Sequence, residues 1–501
     1  MDKGIKSKIS LYGIISAIAF VYLILTSNPG ISFPVFFIIQ FAVLFIIAKS
    51  NSDTINMKGL LMLIPIFIIS SNRLISASYL MMPTNFLMVV FLYSVMFLLL
   101  GNNLDLMKFR VVSILKIIVN IFEPIINFIV PFRWIAEREK SKEKSMLMKR
   151  IMLGVVISMP SVFFLIGMLS SADLVFQNSF ISFNKWINNL FEFLNVFKLI
   201  IGTFAGLYLF GHLYSVFNKD SKSFANMVNF GVDASRKLKG DIIVFNILLV
   251  SILVIYTIFI AIQFKYLFSA GILPDNLNYA EYARRGFFEL VLLSVINIVL
   301  IMLTTYLLRD KIYEEKNKWG LLTNLMLIYL CIITGILLIS SYYRMSLYDS
   351  AYGFTRLRIL VYMFLIFEAA GLIATLTYVI KHNFNILAVY AAIGLAFYLT
   401  LNVVKIDEVI AKRNIDMYFA GQTESLDMEY LMTLSEDAAA EIVRLLDKDI
   451  ELITRNQARI YLEALKERYS NMEHNWQSYN LIIERNKELL EVNKDKLQFK
   501  Y

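Results

Sequence analysis

The sequence predicts an all-α, polytopic membrane protein of about eleven transmembrane helices, with amphipathic interfacial helices and a small helical domain at its carboxyl end. Of the 501 residues, 58% are hydrophobic and only 17% are charged, which is more apolar surface than a soluble core of this size can bury. Apolar stretches of about 20 residues, the length that crosses a bilayer core as a helix, recur along the chain. The last hundred residues are instead rich in charge.

Eleven apolar stretches predict transmembrane spans. The third is the weakest, because it is short for a spanning helix and contains Pro65. The first follows Lys3, Lys6 and Lys8, but no small-residue cleavage site follows Thr26, so we interpret it as a retained helix and not as a signal peptide. The predicted spans are 9–26, 31–48, 58–71, 82–100, 150–171, 196–217, 241–264, 286–308, 320–341, 357–380 and 384–403.

The distribution of basic residues predicts the orientation. Lys and Arg are concentrated in alternate loops, which are cytoplasmic if the N-terminus is cytoplasmic. Without the short third span, the basic connection 101–150 would lie on the opposite side, so we expect that span to cross. An odd number of spans places the tail, residues 404–501, outside; an even number would reverse this.

The chain divides into four segments. Residues 1–100 form an N-terminal four-helix membrane segment, 101–149 a basic amphipathic connection, 150–403 a seven-helix membrane core, and 404–501 a soluble tail. The tail has 14 Lys and Arg residues against 19 Asp and Glu residues, whereas the whole chain has a net charge of +9. Ser435 is a plausible N-cap with acidic residues in the turn after it, so we expect three or four tail helices.

Two connecting segments have the pattern of interfacial helices. In 105–133 the polar residues follow a three-four spacing, which predicts a helix in the membrane plane whose basic residues favour anionic lipids of the cytoplasmic leaflet. A re-entrant or bundle-packed helix without lipid specificity fits the pattern equally well. The segment 178–194 repeats the pattern on the other side. The polar positions of the first segment are Ser113, Lys116, Asn120, Glu123 and Asn127.

Charged residues at the spans are the candidate site residues. Glu281, Arg285 and Glu289 are spaced four apart and predict a charge ladder on one helical face, with Arg285 as the partner of Glu289. A structural anchor is the alternative. Glu368 lies in the middle of the tenth span, where an ionisable residue is by default functional. The alternative for Glu368 is a protonated carboxyl group that is hydrogen-bonded to a neighbouring helix.

A second charged group lies between spans nine and ten. Arg344, Asp349, Arg356 and Arg358 fall within 340–359, on the predicted outer side, where arginines are uncommon. We therefore expect acidic partners for the arginines, and the loop 274–285 could supply them through Asp275 and Glu281. An ordinary interfacial belt of Tyr and Arg is the alternative. His212, near the end of its span, is interpreted as structural.

The sequence contains no pattern typical of catalysis. It lacks a zinc-protease motif, a phosphate-binding glycine loop and a nucleophile elbow, and it has only three histidines and one cysteine, Cys331. We therefore expect no catalytic residues, no metal site, no cofactor and no enzymatic activity. The positive net charge belongs to the membrane-flanking loops, so we expect no nucleic-acid partner.

Several motifs resemble a known family. "SADLVF" at 171–176, "AEYARRGFFEL" at 280–290, "YRMSLYDSAYGFTRLR" at 343–358 and the series "IAKRN", "LDMEYL" and "LSEDA" between 410 and 438 resemble, in this order, a bacterial polytopic membrane family classed as a domain of unknown function. The resemblance covers roughly 100–440. It implies a multi-pass protein of the bacterial plasma membrane and assigns no activity.

Two functions remain open. A membrane sensor, scaffold or envelope-assembly partner would bind a protein partner through the tail. A secondary, proton-coupled transporter would use Glu368 and the ladder of Glu281, Arg285 and Glu289. We favour the first, because the sequence has no convincing internal repeat and few prolines.

Overall fold

In a computed structural model, the chain is helical, and no strand occurs among the residues described. This confirms the predicted fold class. The described residues are 1–51, 55–136, 196–218, 240–263, 287–314, 317–381, 383–447, 450–472 and 475–497, with a few isolated positions between 154 and 182.

The first bundle begins with four antiparallel helices. Pro65 lies in the first turn of the third helix, where a backbone N–H has no i−4 partner within the α-helix, so proline is tolerated there. A 3₁₀ turn, Met57–Met62, precedes that helix, so the third span reaches 19 residues and is long enough to cross. The four helices are α1 (Lys3–Phe20, continued by a π turn to Leu25), α2 (Ser32–Lys49), α3 (Leu63–Ile75) and α4 (Met82–Leu100).

Helix α7 (Val196–Phe217) completes this bundle and runs antiparallel to α1. The two helices approach so closely that a Cβ atom at Gly206 would lie 2.6 Å from the carbonyl oxygen of Gly13. Leu209, Phe210 and Leu213 of α7 belong to the same apolar core as Ile9 and Tyr12 of α1. The first bundle therefore includes a helix from the predicted 150–403 segment.

Four further helices form the second bundle, around a separate apolar core. The tenth helix has 35 residues, about 52 Å at 1.5 Å per residue, and is therefore longer than a bilayer core is thick. The four helices are α8 (Ile242–Gln263), α9 (Phe287–Ile312), α10 (Lys318–Tyr352) and α11 (Arg356–Ile380).

Helix α12 (Ile386–Val403) joins the two bundles, since it packs on α11 and on α3. At its end, Asn402 accepts a hydrogen bond from Asn85 Nδ2 through its side-chain oxygen (2.7 Å) and one from Asn72 Nδ2 through its carbonyl oxygen (2.9 Å). The C-terminal end of α12 is therefore hydrogen-bonded to the C-terminal end of α3 and to the N-terminal end of α4, on either side of the turn 76–81.

These contacts define two faces of the molecule. The N-terminal face contains residue 1, the α4–α5 connection at 101–110 and the α11–α12 connection, where Asn385 Nδ2 donates to the carbonyl oxygen of Met107 (2.8 Å). The tail face contains the α1–α2 turn at 26–31, the α3–α4 turn at 76–81, the α10–α11 turn at 353–355 and the tail.

Helices α5 (Val111–Ile126) and α6 (Val130–Ala136) differ from the predicted interfacial helix. Arg110, before α5, follows the α4–α5 connection on the N-terminal face, and Trp134 in α6 lies 5.2 Å from Lys6 Nζ on the same face. Between these ends, Asn120 donates to the carbonyl oxygen of Ser94 (3.1 Å). The segment thus enters the first bundle and returns to the same face, as in the re-entrant or bundle-packed alternative, whereas its preference among lipids stays a prediction.

The polar stripe of α5 faces the bundle and not the headgroups. Ser113, Asn120 and Glu123 are buried, whereas large apolar side chains such as Ile118 and Phe122 are exposed. Asn120 finds its hydrogen-bond partners on α4, at Ser94, and Ser113 accepts from the backbone N–H of Arg110, while an apolar surface is left toward lipid.

Eleven described helices are long and apolar enough to cross a membrane. Ten coincide with predicted spans, and the eleventh is Val111–Trp134, which qualifies by length and composition although both ends reach one face. The predicted span 150–171 and the predicted interfacial helix 178–194 lie outside the continuously described residues and stay predictions.

The tail is a compact helical unit on one apolar core, which includes Ile410, Ala438, Ile442 and Leu462. Its described residues form three longer α-helices and three α-helices of five residues or fewer. They are α13 (Ile406–Phe419), α14 (Met428–Met432), α15 (Ala439–Val443), α16 (Leu452–Ser470), α17 (Leu481–Val492) and α18 (Lys494–Leu497). Ser435, the predicted N-cap, precedes a 3₁₀ turn, and its side chain makes no capping hydrogen bond.

Candidate functional site at the junction of tail and membrane bundle

An ion pair between a partly exposed arginine and a buried aspartate joins the tail to the second bundle. Arg356 opens α11 and Asp407 opens α13, and the guanidinium donates from Nε to Oδ1 and from Nη2 to Oδ2, both at 2.7 Å. The backbone N–H of Ser435 also donates to Asp407 Oδ2 at 2.8 Å. Burial alone would raise the pKa of Asp407, but these hydrogen bonds hold it below its ordinary value of 3.8. Asp407 is therefore a charged anchor.

A second buried carboxylate joins the tail to the first bundle. Asp437 accepts hydrogen bonds from Ser76 Oγ at 2.6 Å and from the N–H of Ala77 at 2.7 Å. Burial raises the pKa of Asp437 above its ordinary value, and these two donors offset only part of that rise. The side chain therefore ties the α3–α4 turn to the tail across 361 positions of sequence.

Asn480 supplies the third attachment. Its Nδ2 donates to the carbonyl oxygens of Arg73 and Ser76, both at 2.9 Å, which are acceptors that the end of α3 leaves open. Its Oδ1 meanwhile accepts from the N–H of Ile482 at 2.8 Å and caps α17. The Asn480 side-chain amide thus caps the C-terminus of the membrane helix α3 and the N-terminus of the tail helix α17.

The α1–α2 turn is attached through its backbone. The N–H of Gly30 donates to the carbonyl oxygen of Gln477 (2.7 Å) and that of Ile31 to the carbonyl oxygen of Tyr479 (2.9 Å). A Cβ atom at Gly30 would lie 2.3 Å from the Tyr479 oxygen, so this approach requires glycine. The tail is therefore held by two turns of the tail face and by the start of α11.

A cleft of about 600 Å³ opens between the tail and these turns. Arg73, Arg468 and Lys487 line it together with Glu436 and Glu484. Aromatic side chains surround its polar groups, and Tyr79, Trp476 and Tyr479 are exposed there. Tyr and Trp at such a position are typical of the membrane–water interface. We call this the junction cleft.

Glu368, the predicted intramembrane carboxyl group, lies in the second bundle, away from the junction. It is buried, and Ser294 Oγ of α9 donates to its Oε1 at 2.6 Å. One turn along α9, Asn297 accepts from Tyr256 OH at 2.9 Å and donates to Thr334 Oγ1 at 3.2 Å. Glu368 thus belongs to a polar layer across the middle of four apolar helices.

Of the three residues of the predicted charge ladder, Glu289 lies among the described residues. Glu281 and Arg285 lie outside the described residues, so the predicted pairing of Arg285 with Glu289 stays a prediction. Glu289 is exposed in the first turn of α9, where a negative charge is favourable next to the helix N-terminus.

Two of the 340–359 arginines have acidic partners among the described residues, and neither of these partners lies in the loop 274–285. Arg356 pairs with Asp407 of the tail, and Arg358 Nε lies 3.4 Å from Oδ1 of the buried Asp349, within its own segment. Arg358 also stacks over the ring of Tyr348, 4.2 Å from its centroid. Arg344 is buried beside this group. Asp275 and Glu281 of the loop 274–285 lie outside the described residues.

His212 is fully buried among aromatic rings. Its ring is stacked on Phe97, with the centroids 4.9 Å apart, and meets the ring of Tyr208 edge-on at 4.8 Å. Within the described ranges, no three His, Cys, Asp or Glu residues are grouped so that they could hold a metal ion.

Sequence reasoning missed Asp437, Asn480 and Arg73. Asn480 precedes an apolar helical pattern and could have been recognised as an N-cap. No local pattern indicates that the same amide reaches Arg73, more than 400 positions away.

A comparison with family models matches residues 13–445 to a domain of unknown function, DUF4153. The match extends farther toward the N-terminus than the four motifs and includes Arg356, Asp407 and Asp437, whereas Asn480 and α16–α18 lie beyond it. Comparisons with curated proteins and with solved structures find no match. Since the family match covers most of the chain, this multi-pass integral membrane protein belongs to the DUF4153 family.

Proposed function

We propose that the protein is a non-enzymatic membrane sensor, scaffold or envelope-assembly partner of the bacterial plasma membrane. In this proposal the N-terminal face is cytoplasmic and the tail face is extracellular, as the distribution of basic residues favours. The tail then presents its exposed surface to a protein partner in the envelope.

The attachment of the tail is the observation that carries the proposal. Two tail-face turns and the start of α11 bind the tail through polar groups that are buried or partly buried, and such groups are costly to leave unpaired. A tail held this firmly moves with the membrane helices. A partner bound to it would therefore be held in a fixed orientation, and a change in the tail would reach the bundle.

In-cell photo-crosslinking tests this proposal. A photoreactive amino acid at exposed Ser470 of α16 should give a discrete envelope-protein adduct, whereas one at exposed Ser7 on the N-terminal face should not give that adduct. Deletion of 404–501 should abolish the adduct and change the set of co-purifying proteins. The proposal fails if no tail-specific adduct forms and the deletion changes neither localisation nor co-purifying proteins.

A second candidate, proton-coupled transport, is favoured by Glu368. A buried carboxyl group with a hydroxyl donor on a neighbouring helix could exchange a proton during a conformational change. Glu368→Gln keeps the size of the side chain but fixes a neutral state, and should abolish any proton-linked phenotype. Ser294→Ala should weaken that phenotype and not abolish it. Transport by this residue is excluded if Glu368→Gln leaves every such phenotype unchanged.

Anionic lipids are a proposed partner of the α5–α6 segment. Lys108, Arg110 and Arg133 are exposed at its two ends on the N-terminal face, where basic residues are attracted to anionic headgroups. Reversal of these three charges should lower the amount of phosphatidylglycerol that remains bound after purification. An unchanged amount would remove this partner.

A further inference from the structure

The junction cleft contains a buried cation that the protein itself does not neutralise. Arg73, in the last turn of α3, is only 8% exposed and lines the cleft. Its Nε donates to the carbonyl oxygen of Pro29 at 3.2 Å, and its guanidinium stacks over the ring of Tyr79 at 4.5 Å. In the part of the chain that the structure describes, no carboxylate lies within ion-pair distance of Arg73.

The other charges in the cleft already have partners. Arg468 Nη1 lies 2.8 Å from Glu436 Oε1, and Tyr469 OH donates to Glu436 Oε2 at 2.9 Å. Lys487 Nζ lies 2.8 Å from Glu484 Oε1. The two acidic groups that line the cleft are therefore paired with Arg468 and Lys487. The positive charge of Arg73 is not balanced by either of them.

A buried guanidinium without a counterion is unfavourable, so the site is suited to an anion. The planar N–H donors of the guanidinium group match the spacing of two oxygens of a phosphate group. The volume of about 600 Å³ is that of a small-molecule site. The surrounding Tyr79, Trp476 and Tyr479 place it at the depth of lipid headgroups.

We propose that the junction cleft binds a phosphate group at Arg73, presented either by an anionic lipid headgroup or by a soluble phosphate ester. Such a ligand would contact α3 and the tail together, and would therefore strengthen the attachment between them. The proposal holds whichever function the protein has and whichever side the tail faces.

Trp476 provides a direct readout, because it lines the cleft. The full chain, with its other tryptophans replaced by phenylalanine, is titrated in neutral detergent with brominated phosphatidylglycerol, brominated phosphatidylcholine or glycerol 3-phosphate. Arg73→Gln should weaken binding of the anionic probe about tenfold or more. The matched control is Arg309→Gln, since Arg309 also stacks on a tyrosine, Tyr378 at 5.2 Å, but near the N-terminal face.

The two sources of phosphate give different results. Preferential, Arg73-dependent quenching by phosphatidylglycerol supports the lipid source, whereas an Arg73-dependent response to glycerol 3-phosphate without lipid preference supports the soluble ester. If neither probe binds, or if Arg309→Gln has the same effect as Arg73→Gln, the proposal is wrong.

Glu436→Gln tests the site without loss of Arg73. This variant removes a negative charge from the cleft wall, so it should strengthen binding of the anionic probe severalfold. A decrease, or no change, would contradict the proposal even if Arg73→Gln should fail to fold.

Discussion

Two buried aspartates at the junction have opposite electrostatic environments. Asp407 faces the guanidinium of Arg356 and is held as a carboxylate, whereas Asp437 accepts only from a hydroxyl group and a backbone N–H. The pKa of Asp407 therefore lies below its ordinary value and that of Asp437 above it. The two side chains should respond to pH in opposite directions.

Asp407→Asn should lower the free energy of unfolding of the tail by about 2 kcal/mol at neutral pH, because charged hydrogen bonds to Arg356 are lost. A carboxyl group with a lowered pKa stabilises the fold above its unfolded value. That contribution is lost as the pH falls from about 3.8 through the folded-state pKa. Urea denaturation between pH 2.5 and 7, followed by Trp476 emission, should show this acid loss in the parent and not in the variant.

The control for this measurement is Asp495→Asn, an exposed position in α18, which should leave the curve unchanged. The contribution of Asp437 has the opposite sign, since its raised pKa makes stability fall as the pH rises above 3.8. If Asp407→Asn lost as much stability at low pH as the parent does, that loss would belong to a different titratable group.

For single residues, the sequence predicts which charges are energetically costly to leave unpaired, but not which residues pair with them. It indicated that the arginines of 340–359 need acidic partners, because charge is expensive beside a membrane. It could not indicate Asp407 as the partner of Arg356, since that pairing depends on where α13 packs. Asp437 and Ser76 are 361 positions apart, and no local periodicity connects them.

Among the elements, helix α5 shows what hydropathy can and cannot predict. Its spacing predicts a helix with one polar face, and the structure has that helix and that face. The pattern is the same whether the polar face meets headgroups or buried groups of neighbouring helices. The contact of Asn120 with Ser94 and that of Trp134 with Lys6 decide the question, because they fix the middle and the C-terminal end of the segment.

Cysteines at Arg110 and Arg133 should therefore both react with a membrane-impermeant thiol reagent from the N-terminal face. Both positions are exposed, and the substitutions are made in a Cys331→Ser background. Inverted membrane vesicles compared with intact cells give the side of labelling. Labelling from opposite sides would mean that 111–134 crosses the membrane.

The contact between α1 and α7 depends on the absence of a side chain. Gly206→Ala should lower the free energy of unfolding by about 1–3 kcal/mol, since the new methyl group would meet the backbone of Gly13, which cannot move aside easily. Gly394→Ala in α12 is the matched control, because nothing lies within 4 Å of the Cβ that it adds. Thermal unfolding in detergent compares the two, and equal midpoints would contradict the close approach.

Over the whole molecule, the two faces follow from the contacts without reference to any membrane. The tail meets the turns after α1, α3 and α10, and residue 1 lies on the other face. The sequence predicts opposite sides for the N-terminus and the tail from loop charges and an odd count of spans, and this count includes the span 150–171, which stays a prediction. It could not show that the tail is fastened down, because its composition is that of an ordinary soluble domain.

A cysteine at Ser470, with Cys331→Ser, should be labelled by an impermeant reagent on intact cells, since the proposed orientation places the tail face outside. Lysed cells serve as the labelling control. Labelling only after lysis would place the tail face in the cytoplasm and reverse the proposed orientation.

The attachment of the tail also has a consequence for the order of synthesis. Asn480 is translated 407 positions after Arg73, whose carbonyl oxygen it binds, and Gln477 and Tyr479 likewise follow long after the α1–α2 turn that they bind. The carbonyl oxygens at the end of α3 lack their partner until residue 480 has been synthesised. A chain that stops before residue 480 would keep these oxygens unpaired, so the order of synthesis makes the end of α3 one of the last places in this part of the molecule to be completed.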